Sequence, residues 1–494
     1  MAEVKMTQRT RASRRRLRVL ALTGILASLT GSNGSLASHV EDHPWSGPPA
    51  ILISKMKHTP RYMYHTTNVV NGDGRLVAFY RSRKDDPAKL LIRNVAREHN
   101  RLIARPHEGY RWNDYSYGKV RAWGYKPPDF TPDGRYLVFA TEYRLLGRDR
   151  NRYADVYRYD RKTKGYELVS VGLDLRPADS ESVAPTISDD GRYVAFTSGA
   201  TDIVPNDTNH ASDVFVRDLE LGITERASVS SDGSQAGGPT HRSPSFGGSI
   251  SGDGTRVAFI SYGNDLVPDD TNRAPDAFVR DRNDGTTWRV SVTSSGEQLE
   301  PFEYCESASC YRDGVDQVDL SGNGEVVAFV SHANGLVEDD HNDNVDIFTH
   351  DIPTGVTDRV SEGTGGVEAY GEDARSCGND GQCFGFIMSS DPSISYDGDR
   401  VFFLSGAPHM TDVDDDRDDD TDAFVHDRSS RITQLVNRRP DGSYAPGHNM
   451  YPGQISSNGA WVVYSTDARR IAPGDREAGS DIFLQGLDDA AFGD

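Results

Sequence analysis

Residues 189–196 read DDGRYVAF, a tight turn followed by an apolar strand. This pair recurs seven times, and its turn glycines are Gly74, Gly134, Gly191, Gly254, Gly324, Gly398 and Gly459. Asp-Gly or Asn-Gly between apolar runs is a strong hairpin signal, because Gly readily adopts the positive φ that the turn requires. The spacing therefore predicts seven repeats, each of which begins with a β-hairpin.

A second strand signature follows in every repeat but the first, as an aspartate, an aliphatic residue and an aromatic ring. The aspartates that open it are Asp155, Asp213, Asp276, Asp346, Asp422 and Asp481. A further turn and strand come next, for example at residues 224–229. Each repeat thus supplies four strands, A to D, which cannot bury both faces alone. The predicted fold class is all-β, a seven-bladed β-propeller with four-stranded antiparallel blades.

Ring closure is predicted from the two ends of the repeat region. The last repeat has no convincing strand D, whereas residues 50–54 (AILIS) have no partner of their own. We expect this N-terminal strand to complete the last blade and remove an exposed edge. The alternative is an unattached arm. The predicted boundaries are residues 1–37 for a signal peptide, 38–49 for an arm, 50–487 for the propeller and 488–494 for a tail.

The N-terminal residues have the layout of a secretory signal peptide. Arginines at positions 9–18 precede an apolar run at 19–29, and Ser35-Leu36-Ala37 offers a cleavage site. Arg14-Arg15-Arg16 also resembles a twin-arginine export signal. The apolar run is too short to span a membrane. We expect a secreted, extracellular monomer with no membrane span.

Charge limits the partners. The formal net charge is −21, and because residues 1–37 contribute +6 the remainder carries −27. Such a surface repels phosphate backbones, so nucleic acid is an unlikely ligand, whereas cations and basic partners are favoured. A hydrophobic content of 36% is enough for a packed core.

The repeats resemble the TolB-like, WD-type propeller repeats of bacterial exported proteins. The matching features are the Ser/Thr-x-Asp-Gly turn, the Val-Ala-Phe strand and the Asp-(Ile/Val)-Phe-Val-x-Asp strand, over about residues 60–487. The resemblance implies a propeller. It does not choose a function, because similar propellers include partner-binding scaffolds, lyases and the non-catalytic halves of peptidases.

The loops between strands B and C share the pattern D-x-(N/D/E)-x-x-x-D in six repeats. The residues are Asp149, Asn151, Asp155; Asp207, Asn209, Asp213; Asp270, Asn272, Asp276; Asp340, Asn342, Asp346; Asp416, Asp418, Asp422; and Asp475, Glu477, Asp481. Oxygen ligands at alternating positions suit Ca²⁺, although the Gly and Glu of an EF-hand loop are missing. The alternative is that these residues only form Asx turns.

Aromatic and histidine residues mark the connectors between strand D and the next strand A. The first connector contains Tyr110, Trp112, Tyr115, Tyr117, Trp123 and Tyr125, which could stack on sugars or anchor a peptide. They could equally form a private core of that long loop. Three histidines, His107, His241 and His448, could converge near the axis on a metal, but isolated polar roles fit their spacing as well.

Four cysteines fit an exported protein. Cys305 and Cys310 lie five positions apart, and Cys377 and Cys383 lie six apart. Two local disulfides are predicted, and the alternative is one four-cysteine zinc site, whose usual C-x-x-C spacing is missing.

The sequence favours a binding role. It contains no G-x-S-x-G, H-E-x-x-H or P-loop motif. The predicted function is a non-catalytic scaffold that binds a protein or glycan ligand on its loop-rich face. The alternative is a metal-dependent carbohydrate-active enzyme, similar to a polysaccharide lyase, with its site at the mouth of the central channel.

Overall fold

A computed structural model describes fourteen segments of the chain between residues 49 and 487. They are residues 49–54, 63–83, 86–104, 126–237, 244–298, 302–306, 309–333, 335–342, 344–368, 389–407, 410–411, 421–445, 450–475 and 480–487. Within these segments the regular elements are all β-strands, which confirms the predicted all-β class.

The first four blades are formed by consecutive strands. They are β2 (Met63–Val70), β3 (Leu76–Arg83), β4 (Asp86–Asn94) and β5 (His99–Ala104); β6 (Asp129–Phe130), β7 (Tyr136–Thr141), β8 (Asp155–Asp160) and β9 (Gly165–Leu168); β10 (Ser182–Ile187), β11 (Tyr193–Ser198), β12 (Asp213–Asp218) and β13 (Ile223–Arg226); and β14 (Ser245–Ile250), β15 (Arg256–Ser261), β16 (Asp276–Asp281) and β17 (Thr286–Arg289).

Blades 5 to 7 follow the same order, except that β1 completes the last. They are β20 (Val315–Leu320), β21 (Val326–Ser331), β22 (Asp346–Asp351) and β23 (Val356–Arg359); β26 (Ser389–Ile394), β27 (Arg400–Ser405), β28 (Asp422–Asp427) and β29 (Ile432–Leu435); and β30 (Met450–Ile455), β31 (Trp461–Thr466), β32 (Asp481–Gly486) and β1 (Ile51–Leu52). Two small hairpins are inserted, β18 (Phe302–Glu306) with β19 (Ser309–Asp313), and β24 (Glu362–Gly363) with β25 (Val367–Glu368).

The ring closes as the sequence predicts. Strand β1 pairs antiparallel with β32, with Leu52 opposite Phe483. The contact continues beyond the strand, because the Ile53 N–H donates to the Ile482 carbonyl at 2.8 Å. The alternative of an unattached arm is wrong for residues 51–54, and the last blade has four strands in the order β1-β32-β31-β30.

The hydrophobic core lies between neighbouring blades, and the same packing recurs from one pair of blades to the next. In blades 2 to 7 an aromatic residue of strand B pairs with one of strand C; in blade 3, Phe196 lies opposite Phe215 with ring centroids 5.8 Å apart. Both rings are completely buried, together with Val138 and Val156 of blade 2. Offset aromatic pairs stabilise a fold by more than the burial of their apolar area alone. The aromatic position of each repeat therefore packs blade against blade.

The two ends of the propeller are built differently. The turns from A to B and from C to D form the turn face, where neighbouring turns are joined through backbone: the Asp189 N–H donates to the Gly252 carbonyl at 2.8 Å, and the Gly252 N–H to the Gly322 carbonyl at 2.7 Å. The opposite end, the loop face, contains the loops from B to C, residues 142–154, 199–212, 262–275 and 332–345 in blades 2 to 5, and the connectors from D to A.

Candidate functional site

The B–C loops of the loop face are held by their asparagines. In blade 3 the Asn209 side chain donates to Asp213 Oδ2 at 3.0 Å and to the Ala236 carbonyl at 3.1 Å, and its Oδ1 accepts from the Ala211 N–H. Asn151, Asn272 and Asn342 accept from a backbone N–H two positions on in the same way. The middle position of the loop pattern thus forms an Asx turn in blades 2 to 5, and in blade 3 it also ties the loop to its own strand C and connector.

The last aspartate of each pattern is anchored by the second residue after the end of strand D. The Ser228 hydroxyl donates to Asp213 Oδ1 at 2.6 Å and accepts from the Val214 N–H at 3.1 Å. Ser170, Ser291, Ser361 and Asn437 make the same two contacts in their blades. In blade 7 this role falls to Ser54 of the N-terminal segment, which donates to Asp481 and accepts from the Ile482 N–H.

An arginine at the end of strand D compensates the loop aspartates in three consecutive blades. Arg226 lies 2.9 Å from Asp207 and 3.3 Å from Asp213, and its side chain is only 9% exposed. Arg289 contacts the pair in blade 4, and Arg359 contacts Asp340 in blade 5. The loop pattern predicted a metal as the counter-charge, but in these blades a guanidinium lies beside the carboxylates.

A further side chain completes each arginine site. Gln235, Gln298 and Glu368 lie nine positions after the arginine, and each accepts a hydrogen bond from it. Each also accepts a backbone N–H of the B–C loop, from Thr208, Thr271 and His341 respectively. The loop, strand D and the following connector are therefore one hydrogen-bonded unit in blades 3 to 5.

Blades 2, 6 and 7 have leucine where those arginines lie. Leu168 pairs with Tyr157 and Leu435 with Phe424, as Arg226 does with Phe215, and Leu52 takes this place in blade 7. In blade 2 the Tyr157 hydroxyl donates to Asp149 at 2.6 Å. Within the described segments, Asp149 Oδ1 and Asp155 Oδ2 are buried without a hydrogen-bond partner. Burial raises the pKa of Asp155 to about 7, with Asp149 adding to the rise.

The A strands of successive blades contact one another and so surround the central channel, and they also carry charge. Asp129 Oδ2 accepts the Ile187 N–H of the next blade at 2.9 Å, and burial raises its pKa to about 7. Lys126, at the end of the first connector, lies 3.0 Å from Asp319 of blade 5, so this ion pair joins non-adjacent blades. Thr186, Ser249, Asp319 and Ser393 repeat the contact of Asp129, each accepting a backbone N–H from the following blade.

Titratable side chains also lie where this channel opens on the loop face. His332 Nε2 lies 2.8 Å from Asp316 Oδ2. Glu142, at the end of strand B of blade 2, has its pKa raised by burial and by Glu181. Groups of this kind can exchange protons with a ligand, and no motif in the sequence marked them.

Several predicted site residues fall outside the described segments. They are Asp416, Asp418, Glu477, Cys377, Cys383, the three histidines His107, His241 and His448, and the aromatic residues Tyr110, Trp112, Tyr115, Tyr117, Trp123 and Tyr125. Cys305 and Cys310 lie directly opposite each other in the β18–β19 hairpin. Opposed residues of antiparallel strands have the Cα separation that a disulfide needs, so the register supports that bond, which stays a prediction.

The described residues contain no group of three or more His, Cys, Asp or Glu side chains placed to hold a metal ion. The same residues include no helix long and apolar enough to cross a membrane.

Comparisons with known proteins show no family for this chain. No protein-family model matches the chain, and no curated protein does either. Among solved structures, the chain is similar to TolB from Acinetobacter baumannii, at 12% identity and a TM-score of 0.36 over 84% of this chain and 79% of the other. It is similar to oligogalacturonate lyase from Vibrio parahaemolyticus, at 12% identity and a TM-score of 0.47 over 88% and 93%. It is also similar to the propeller domain of the Trilobed protease from Pyrococcus furiosus, at 10% identity and a TM-score of 0.47 over 87% of this chain and 94% of the other.

Proposed function

We propose that this chain is an exported binding protein that takes a protein or glycan ligand on its loop face. The proposal rests on the contrast between the two ends of the propeller. The A–B turns are alike in sequence and joined to one another through backbone hydrogen bonds. The connectors differ in length, with 13 residues at 169–181 and 18 at 227–244, whereas the B–C loops of blades 2 to 5 have 13 or 14 residues. These B–C loops are held by the Asn and Ser contacts described above, with an arginine added in blades 3 to 5.

Such a division is typical of a scaffold whose loops carry recognition. Loops on a rigid frame can vary without loss of the fold, and a pre-ordered loop loses less entropy when a ligand binds. The buried guanidinium–carboxylate clusters order the loops of three neighbouring blades, which therefore offer a continuous pre-formed surface.

Site-specific photo-crosslinking can test which face binds. Tyr153 lies in a B–C loop and is 44% exposed, while Tyr396 lies in an A–B turn and is 42% exposed. Each can be replaced by benzoylphenylalanine, a similar ring, and the protein irradiated in its native medium. We expect adducts from position 153 and none from 396. Adducts from 396 alone, or from neither position, would contradict the proposal.

Acid–base chemistry at the channel mouth is a second candidate, supported by the His332–Asp316 pair. A carbohydrate-active enzyme would release new chain ends from a polysaccharide panel, with or without added divalent metal, and the His332→Gln variant would be inactive. The absence of products with the wild-type protein would leave the binding role alone.

We also propose calcium as a structural ligand, restricted to blades that lack the arginine. The unpartnered oxygens of Asp149 and Asp155, beside Leu168, support a cation there, because two buried carboxylates repel each other without a counter-charge. Blade 6 has Leu435 at the same position and a loop richer in aspartate.

A further inference from the structure

A five-residue turn follows strand D in blades 2 to 6. The turns are residues 172–176, 230–234, 293–297, 363–367 and 439–443. In each, the N–H of the fourth residue donates to the carbonyl of the first, as Leu175 does to Gly172 at 2.9 Å and Gly233 to Ser230 at 2.9 Å. Equivalent positions can therefore be compared residue by residue.

The fourth position of this turn is left-handed in all five blades. Gly233, Gly296, Gly366 and Gly442 have φ between 82° and 86°, as the turn requires. Blade 2 has Leu175 there instead, at φ 63°. A left-handed backbone brings the Cβ of an L-residue close to its own carbonyl, so leucine is strained where glycine is not.

The second position departs from the repeat as well. Ser231, Ser294 and Thr364 use their hydroxyl groups to accept from and donate to the backbone of the next blade's strand D. Leu173 has no hydroxyl group, and its N–H donates to the Asp202 carbonyl in the B–C loop of blade 3 at 2.8 Å. This turn is thus bonded to the loop face of the neighbouring blade.

Both leucines are on the surface. Leu173 is 61% exposed and Leu175 is 60% exposed, and the two alternate with the exposed Asp174 and Arg176. An exposed leucine gains little from folding, and a strained one lowers stability. At these two positions blades 3 to 5 have a hydroxyl residue and glycine, and blade 6 has Pro440 and Gly442. Two exposed leucines in one turn therefore form an apolar tip suited to contact with another molecule.

The charges around this turn define the partner. Asp174 and Asp179 both act on Asp202, whose pKa is raised by burial and then by these carboxylates. Arg176 lies 3.5 Å from Asp174. An apolar tip set among carboxylates is complementary to an apolar recess with basic residues at its rim, and it is repelled by an anionic lipid surface.

We infer that the 172–176 turn is a docking element that inserts Leu173 and Leu175 into an apolar, basic-rimmed recess of a partner protein. This rests on the proposed loop-face binding and specifies the partner's chemistry. The neighbouring Asp174, Asp179 and Asp202 orient the partner by charge, while the hydrogen bond from Leu173 to Asp202 holds the turn in place.

A displayed random-peptide library, panned on the full-length protein, provides a defined probe. We expect enriched peptides that combine aliphatic or aromatic residues with Lys or Arg. Synthetic copies should bind the Leu173→Ser/Leu175→Gly variant at least about tenfold more weakly, because the buried leucine surface is lost. The matched control is Leu221→Ser, since Leu221 is 63% exposed on the turn face, and it should bind as the wild type does.

Stability separates docking from a structural role. Leu175→Gly alone should melt at the wild-type temperature or above, because the strain is relieved. A melting temperature of Leu175→Gly that is several degrees below the wild type would overturn the inference. So would a library that yields no enriched peptide, or peptides that bind the Leu173→Ser/Leu175→Gly variant and the wild type equally. Preferential binding of the protein to phosphatidylglycerol vesicles would overturn it as well. Crosslinks from position 153 that persist in the double variant would do so while leaving loop-face binding intact.

Discussion

Arg359 shows how single residues order the loop face. Its side chain is 2% exposed, and Asp340 at 3.3 Å and Glu368 at 2.9 Å surround its guanidinium. Burial, with Asp346 nearby, raises the pKa of Asp340, and Arg359 opposes the rise. The carboxylates depend on the arginine, because a buried charge without a partner is far more costly than a satisfied one.

Arg359→Leu should therefore destabilise the protein by about 3–5 kcal/mol, the usual loss when one partner of a buried pair is removed. Urea unfolding of the full chain measures the change. Arg75→Ala is the control, because Arg75 pairs with Asp73 on the surface at 78% exposure and should change stability by about 0–1 kcal/mol. Similar losses in the two variants would show that the buried cluster does not order the loop.

Asp155 makes the stability of blade 2 depend on pH. Its folded pKa of about 7 lies above its usual value, so between about pH 4 and 7 the folded state holds a proton that the unfolded state has lost. Stability should then fall as pH rises through this window, by up to about 1.4 kcal/mol per pH unit.

Asp155→Asn should reduce this slope by up to about 1.4 kcal/mol per pH unit, the contribution of one titrating group. An asparagine keeps an oxygen that can accept from the Ser170 hydroxyl, but it does not titrate. Melting temperatures from pH 4.5 to 8, measured with chelator so that no metal competes with the proton, would show the difference. Asp190→Asn, in an exposed A–B turn, is the control. An unchanged slope in Asp155→Asn would assign the pH dependence to other groups, such as Asp129.

The residues missed by sequence reasoning were missed for a physical reason. The pattern D-x-N-x-x-x-D lies within one loop, but its counter-charge comes from strand D, 13 residues after Asp213 in the case of Arg226. The available signal was periodic: Arg226, Arg289 and Arg359 precede an apolar residue and a serine, with Gln or Glu nine positions on. A local motif shows the loop aspartates, whereas the arginine that pairs with them is recognised only when whole repeats are aligned.

At the scale of elements, the N-terminal segment reproduces a strand D in detail. Residues 52–54 read LIS, as residues 168–170 read LVS. Ser54 makes the two contacts that Ser170 makes in blade 2. The strand could be predicted from its apolar run, but its exact register depended on a serine whose role is seen only in three dimensions.

Ser54→Ala should cost about 1–3 kcal/mol, since it leaves the buried Ile482 N–H and the Asp481 carboxylate short of a partner. Ser291→Ala is the matched variant inside a continuous blade, and a similar loss is expected there. Unfolding midpoints compare the two. If Ser54→Ala were neutral while Ser291→Ala was destabilising, the N-terminal segment would not be an integral strand.

At the scale of the whole molecule, the fold could be predicted from the sequence because the same turn and strand pattern occurs in seven repeats. Each turn glycine, Val-Ala-Phe strand and Asp-opened strand was redundant with its copies, and all seven blades were found. Function lacks such redundancy: a loop-face site is made once, by departures from the repeat, as Leu173 and Leu175 illustrate. Repeat periodicity predicts the frame and is least informative where the blades differ.

The charge of the whole chain complicates any test for calcium. Without residues 1–37 the net charge is −27, so any salt stabilises the acidic loops by screening. A cation that binds only the folded state adds about 2.7 kcal/mol at a hundredfold excess over its dissociation constant. Calorimetry in Ca²⁺, Mg²⁺ and Na⁺ at matched ionic strength separates the two effects, because Mg²⁺ gives up its water reluctantly.

We expect the melting temperature to rise with Ca²⁺, to fall again when chelator is added, and to rise less with Mg²⁺. Leu168→Arg with Pro177→Gln introduces into blade 2 the residue types of blade 3, so the guanidinium should replace the ion and reduce the calcium response. Asp416→Ala with Asp418→Ala should reduce it further in blade 6. Asp207→Asn is the control, because Arg226 already compensates that loop and the calcium response should not change. Equal melting temperatures in all three salts would mean that every one of these loops is a turn without a metal.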